Sequence, residues 1–114
     1  MGSLTKVAPE LPVPDLAAAL EYYTGRLGFE VATIMPGRDY AIVERDEVSL
    51  HLFVPVSSAP AAVSIHVFAS DLDELFGELE SRGALVTQEI VRRPWGNREF
   101  RVADPAGNTI KFTE

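Results

Sequence analysis

A weak internal repeat constrains this fold more than any single motif. Asp15-Leu16 opens one apolar-periodic stretch and Asp71-Leu72 opens a second, 56 residues further on. The first carries Leu16, Leu20, Tyr23 and Leu27; the second carries Leu72, Leu75, Phe76 and Leu79. Steps of three and four put each set on one face of a helix. Both Asp residues are of the type that caps a helix N-terminus, and Asp71 with Glu74 has capping-box spacing. Gly28 and Gly83 follow the stretches where left-handed C-caps would fall. Two helices of like length and like signals point to a duplicated unit.

Strand-like segments flank each helix. Residues 6–12 precede the first and 63–69 the second, where Val63, Ile65 and Val67 alternate with Ser64, His66 and Phe68. Segments 29–35, 40–45 and 48–54 follow the first helix; 85–91, 98–103 and 109–113 follow the second. Pro36-Gly37, Asp46-Glu47 and Pro105-Ala106-Gly107-Asn108 supply turns. The stretch 55–62, rich in Pro, Ser and Ala, reads as a linker. The expected fold is α+β: two tandem βαβββ modules, about 5–54 and 63–114, each with a helix on a curved, mixed and mostly antiparallel sheet. At 114 residues the chain is long enough for one domain, and small modules of this size gain from pairing.

Charge narrows the partners. Ten basic and seventeen acidic residues leave a net charge of −7, which repels nucleic acid and favours cationic partners. No apolar run approaches the roughly eighteen residues of a membrane span. Residues 1–7 hold no apolar segment of signal-peptide length. With no cysteine there is no disulfide framework and no thiolate nucleophile. A cytoplasmic protein with no membrane or nucleic-acid partner is the expectation.

Three segments carry a resemblance. They are Pro9 to Asp15 running into Glu21-Tyr22-Tyr23-Thr24-Gly25-Arg26-Leu27-Gly28-Phe29, then Asp39-Tyr40-Ala41-Ile42-Val43, and Arg93-Pro94-Trp95-Gly96-Asn97-Arg98-Glu99-Phe100 through Asp104-Pro105-Ala106-Gly107-Asn108. The chain resembles the vicinal oxygen chelate superfamily of glyoxalases, extradiol dioxygenases and bleomycin-resistance proteins. Within it, Pro-Trp-Gly-x-Arg-Glu-Phe looks like the bleomycin-resistance branch. The resemblance implies a homodimer in which the N-terminal strand crosses to the partner, with Pro9 helping to hold the exchange. A simple edge-strand proline is the alternative reading of Pro9.

The family's four metal positions fall on Ala8, His51, Ser64 and Lys111, and only His51 is a good ligand. Neither metal nor other cofactor is therefore expected. One displaced set remains open: period-two alternation puts Glu10 on the face of Ala8 and His66 on the face of Ser64. Glu10, His51 and His66 would then form a two-His, one-carboxylate cluster. The alternative makes both histidines neutral groups that line a binding site.

A binding site needs aromatic surface and a few directional polar groups. His51 with Phe53, and His66 with Phe68, share faces of their strands. By resemblance, Tyr40 and Trp95 flank a groove between subunits and stack on the flat rings of a bleomycin-type glycopeptide. Core packing is the alternative for Phe53 and Phe68, and a core or dimer contact for Trp95. The expected function is drug sequestration without catalysis, at one small, planar, cationic antibiotic per groove. A metal-dependent lyase or dioxygenase, a metal-free isomerase with His51 as base, and an orphan small-molecule binder are the competing readings. Ser49, Ser57, Ser58 and Ser64 lack any nucleophile-elbow context. The acidic second helix reads as a solvated face.

Overall fold

Alternating apolar and polar residues build short strands around two helices in the computed structural model, which describes residues 2–37, 39–56 and 61–114. The first half runs β1 (Glu10–Pro12), α1 (Leu16–Gly25), β2 (Glu30–Ile34), β3 (Tyr40–Arg45) and β4 (Val48–Phe53). The second repeats the order with β5 (Ser64–Phe68), α2 (Leu72–Arg82), β6 (Leu85–Arg92), β7 (Arg98–Ala103) and β8 (Thr109–Thr113). Each half makes a four-stranded mixed sheet, ordered β1-β4-β3-β2 and β5-β8-β7-β6. In each, the strand before the helix pairs parallel with the last strand, and the other pairs are antiparallel. The helix lies within the crossover that a parallel pair requires. Residues 57–60 of the expected linker lie outside the described residues.

One face of each sheet is apolar and covered. Leu11, Val43, Leu50 and Leu52 pack with Tyr22 and Tyr23 of α1, while Phe100, Val102, Ile110 and Phe112 pack with Leu72 and Leu79 of α2. All belong to one buried cluster that runs through both halves. Truncating a fully buried leucine such as Leu52 to Ala costs about 2–5 kcal/mol.

The halves are joined by a buried polar hub. In the turn after β7, Asp104 Oδ1 accepts from the backbone N–H groups of Ala106 and Asn108, at 2.9 Å each. Its Oδ2 accepts from Tyr23 Oη and Asn108 Nδ2, again at 2.9 Å each. Asn108 Nδ2 also donates to Pro12 O at 2.8 Å, and its Oδ1 accepts from Val63 N at 2.9 Å. One side chain thus ties the end of β1 to the entry of β5. Burial, then the adjacent Asp104 charge, pushes the Tyr23 hydroxyl far above its ordinary pKa. It stays a neutral donor.

Two arginines at equivalent repeat positions act reciprocally. Arg26 donates to Arg82 O at 3.0 Å, and Arg82 donates to Gly25 O at 3.3 Å. Each places a cation on the carbonyl end of the other's helix, where the helix dipole is negative.

The helix ends depart from expectation in two places. Asp15 caps α1, accepting from Ala18 N at 3.2 Å. Asp71 does not cap α2: its backbone is left-handed (φ 52°) and its side chain makes no capping bond. Glu114, from the far end of the chain, accepts from Leu72 N at 2.9 Å and takes that role. Gly83 is the left-handed C-cap of α2, but the C-cap of α1 is Arg26, with Gly28 (φ 76°) two residues beyond. The first strand is also shorter than the 6–12 expected, beginning at Glu10.

Candidate functional site

The face of each sheet turned away from its helix is polar and aromatic. Strand register sets which side chains stand beside one another there. On the first sheet, Glu10 pairs with His51 and His51 with Ile42, making one row across β1, β4 and β3. The next row holds Pro12, Phe53 and Tyr40. On the second sheet, His66 pairs with Lys111 and Lys111 with Arg101, and beside them stand Phe68, Thr113 and Glu99.

Tyr40 links the charged groups of the first face. Its hydroxyl lies 2.5 Å from Glu10 Oε2 and 2.6 Å from His51 Nδ1. A phenol has one proton, and an ionised carboxylate can only accept. Tyr40 therefore donates to Glu10, and His51 Nδ1–H donates to Tyr40. That tautomer leaves the His51 Nε2 lone pair free for a ligand or a proton. The bond to Glu10, then burial, pushes the Tyr40 hydroxyl up to about 12. Glu10, Tyr40 and His51 line an open groove of about 460 Å³ with Met35 and Pro36.

On the second face His66 stacks on Phe68, ring centroids 4.5 Å apart at 27°. Its Nε2 lies 2.5 Å from Thr113 Oγ1. Phe68 is 73% exposed, so one side of the stack is open. Burial, then the Lys111 and Arg101 charges, lowers the pKa of His66, with Glu99 opposing. Phe68 also borders a cleft of about 290 Å³ between the halves, with Leu27, Phe29, Val48 and Leu75.

Glu99 was not singled out from the sequence. Only 3% exposed, it takes Arg93 Nε at 3.1 Å, Arg101 Nε at 3.2 Å and Gln88 Nε2 at 3.2 Å. The Arg93 bond, followed by those of Gln88 and Arg101, holds its carboxyl down to about 2 against the opposing effect of burial. Alternation of Glu99 and Arg101 with Phe100 and Val102 was its one signal in the chain.

The expected residues fall into separate groups. Tyr40, His51 and Phe53 come together with Glu10 on the first sheet; His66 and Phe68 come together on the second. Trp95 joins neither group: it is 71% exposed in the turn between β6 and β7, and among the described residues its ring pairs with no other aromatic. A core role for Trp95 or Phe68 is overturned by this exposure. Among the described residues no three His, Asp or Glu side chains are gathered to hold a metal. The displaced set of Glu10, His51 and His66 is thus not assembled within the chain, because His66 belongs to the other sheet. Pro9 is half-buried and its carbonyl accepts from His51 N at 3.0 Å.

Residues 4–112 match the family model described as "Glyoxalase/Bleomycin resistance protein/Dioxygenase superfamily". The chain belongs to this superfamily. A bleomycin resistance protein of Geobacillus stearothermophilus is 27% identical over 123 residues, covering 91% of this chain and 92% of the relative. The bleomycin resistance determinant encoded on transposon Tn5 has the same fold, with a TM-score of 0.84 at 22% identity over 97% of this chain and 98% of the other. A lactoylglutathione lyase of Agrobacterium tumefaciens superposes with a TM-score of 0.78 at 23% identity, covering 99% and 95%. The fold is thus shared by resistance proteins and by a lyase. No described helix is long and apolar enough to cross a membrane.

Proposed function

We propose that this superfamily member binds a bleomycin-type glycopeptide antibiotic stoichiometrically and makes or breaks no bond in it. The observation that carries the reading is the His66–Phe68 stack with its open side. An exposed flat pair lacks a third ring, and a stacked partner adds roughly 0.5–1.5 kcal/mol beyond burial. Glu10 supplies an acceptor for a cationic group on the facing module, and His51 Nε2 a second acceptor. The bleomycin resistance relatives support the same ligand class.

The two open faces belong, in this reading, to grooves between the subunits of a strand-exchanged homodimer in the cytoplasm. Residues 2–7 are exposed, Leu4 and Val7 included, and β1 is only three residues long. An apolar arm left in water before a short edge strand supports exchange with a second copy, a low-cost route to a dimer. Across that dimer Tyr40, His51 and Phe53 of one chain would meet His66, Phe68 and Trp95 of the other. No cofactor is required.

Calorimetric titration of metal-free bleomycin and of its copper complex tests the proposal. Saturation near one drug per chain, weakened roughly tenfold in Phe68→Ala, is the expected result. Absence of binding heat with both forms overturns it.

A second reading is favoured by one observation, the Glu10–Tyr40–His51 chain. It leaves His51 Nε2 available as a general base, which suits a metal-free isomerase. Turnover of a ketone or aldehyde substrate that disappears in His51→Ala would establish that reading instead.

A further inference from the structure

We infer that the second sheet carries an anion-binding row, His66–Lys111–Arg101, that takes the acidic group of a flat aromatic ligand. The inference shares the His66–Phe68 stack with the antibiotic reading but takes its ligand class from the charges beside it. It begins with register. His66 pairs directly with Lys111, and Lys111 with Arg101, so three nitrogen-bearing side chains stand side by side across β5, β8 and β7. Adjacent strands are roughly 4.8 Å apart, so the row covers about 10 Å. Gln88 pairs with Arg101 and extends the same row onto β6.

Charge distinguishes this row from an ordinary mixed surface. The protein as a whole is acidic, at −7. This face nonetheless gathers Lys111, Arg101 and Arg93 around one carboxylate, Glu99, which is already bonded to both arginines. Arg101 spends only its Nε on Glu99, and among the described residues its two terminal nitrogens have no hydrogen-bond acceptor. Lys111 is half-buried and, among the described residues, has no ion pair. Burial first, and then the Lys111 and Arg101 charges against that of Glu99, lowers the His66 pKa.

The neighbouring row sets the rest of the ligand. Phe68 stands two residues along the strand from His66, about 7 Å away by strand rise, and the two rings are stacked. A ring resting on that stack would bring a directly attached carboxylate, sulfonate or phosphate within reach of Lys111 and the free end of Arg101. An ammonium and a guanidinium recognise such a group by charge-assisted hydrogen bonds. The ligand class is an aromatic acid.

The test uses the unmodified protein with 2-naphthoate and its neutral counterpart 2-naphthamide. The expected result is at least tenfold tighter binding of the acid, with that preference abolished in Lys111→Met. Saturation with 2-naphthoate should also raise the His66 pKa measured by NMR, because a nearby anion favours imidazolium. Saturation with 2-naphthamide should leave it in place. Equal affinities for acid and amide, or no binding of either, would overturn the inference. The wild-type comparison needs no variant to fold, so loss of Lys111→Met during purification leaves it decisive. Bleomycin titration reads the antibiotic proposal separately: drug binding without an acid preference sinks this inference alone, and the converse sinks only the other.

Discussion

The two sheets share one construction and differ in charge. Row for row, Glu10–His51–Ile42 on the first occupies the strands and positions that His66–Lys111–Arg101 occupies on the second. The covered faces are alike because each must fill the space beneath a helix, and packing tolerates little change there. The open faces carry no such constraint. One holds an acid–phenol–imidazole chain and the other a cationic row beside an aromatic stack. One architectural plan thus carries two unlike open faces.

The largest perturbation should come where the sheets are joined. Asn108→Leu removes the bonds to Pro12, Val63 and Asp104 and leaves buried groups unpaired, costing about 3 kcal/mol. Urea unfolding monitored on both halves would show this as a lower midpoint. Loss of coincidence between probes would show that the hub also makes the halves unfold together.

Gly28→Ala comes next. The position has φ 76°, and an added Cβ would lie 2.7 Å from Arg45 Nη1, whose guanidinium also pairs with Glu78 of the other half. Left-handed strain with displacement of that ion pair should cost about 2 kcal/mol in thermal unfolding. Gly37→Ala, with φ 71° and nothing near its Cβ, is the control and should cost about 1 kcal/mol. Equal losses would show that the Arg45 contact adds nothing.

Glu99 sharpens the contrast between faces through pH. Its carboxyl, ordinarily near 4.5, is held down to about 2 in the folded chain. A folded pKa below the unfolded one means stability that is fully present above pH 4.5 and is lost as pH falls toward 2. In Glu99→Gln the acid limb of the stability curve should flatten in that window. An unchanged limb would place acid sensitivity elsewhere, with the Arg45–Glu78 and Arg98–Asp73 pairs as the next candidates.

The smallest effect belongs to the first face. Tyr40→Phe unlinks Glu10 from His51 on an accessible surface, and should change stability by under about 1 kcal/mol. Bleomycin affinity should fall roughly threefold to tenfold by the loss of that hydrogen-bond chain, and 2-naphthoate affinity should fall less. The reverse order in a calorimetric comparison would mean that both ligands lean on the first sheet.

Much of this arrangement was legible in the chain. Helical spacing located both helices, and the strand-like segments 40–45, 98–103 and 109–113, set off by turn residues, are β3, β7 and β8. The shortfalls have distinct physical reasons. Residues 6–9 alternate weakly and precede an edge strand where Pro9 and Pro12 lack N–H donors, so the ladder begins only at Glu10. Asp71 has the chemistry of a cap but not the backbone, and its replacement, Glu114, is 42 residues away from the N–H it serves. Period-two counting put Glu10 on the face of Ala8, and only the family resemblance connected that face with His51, which the register sets beside Glu10. It also put His66 on the face of Ser64, but periodicity reports a face and never which sheet the face belongs to. Lys111 was legible only as an unsuitable metal ligand; its place in a cationic row required the pairing of three strands.

The reciprocal arginines carry one more consequence. In a two-fold symmetric pair of molecules, residue i of one copy touches j of the other and j touches i in return. Arg26 reaching the end of α2 while Arg82 reaches the end of α1 is that isologous pattern within a single polypeptide. The seam between the halves thus has the self-complementary pattern of a two-fold interface, carried inside one chain. Because both sides belong to one polypeptide they need not be identical, and the open faces of the two sheets differ accordingly.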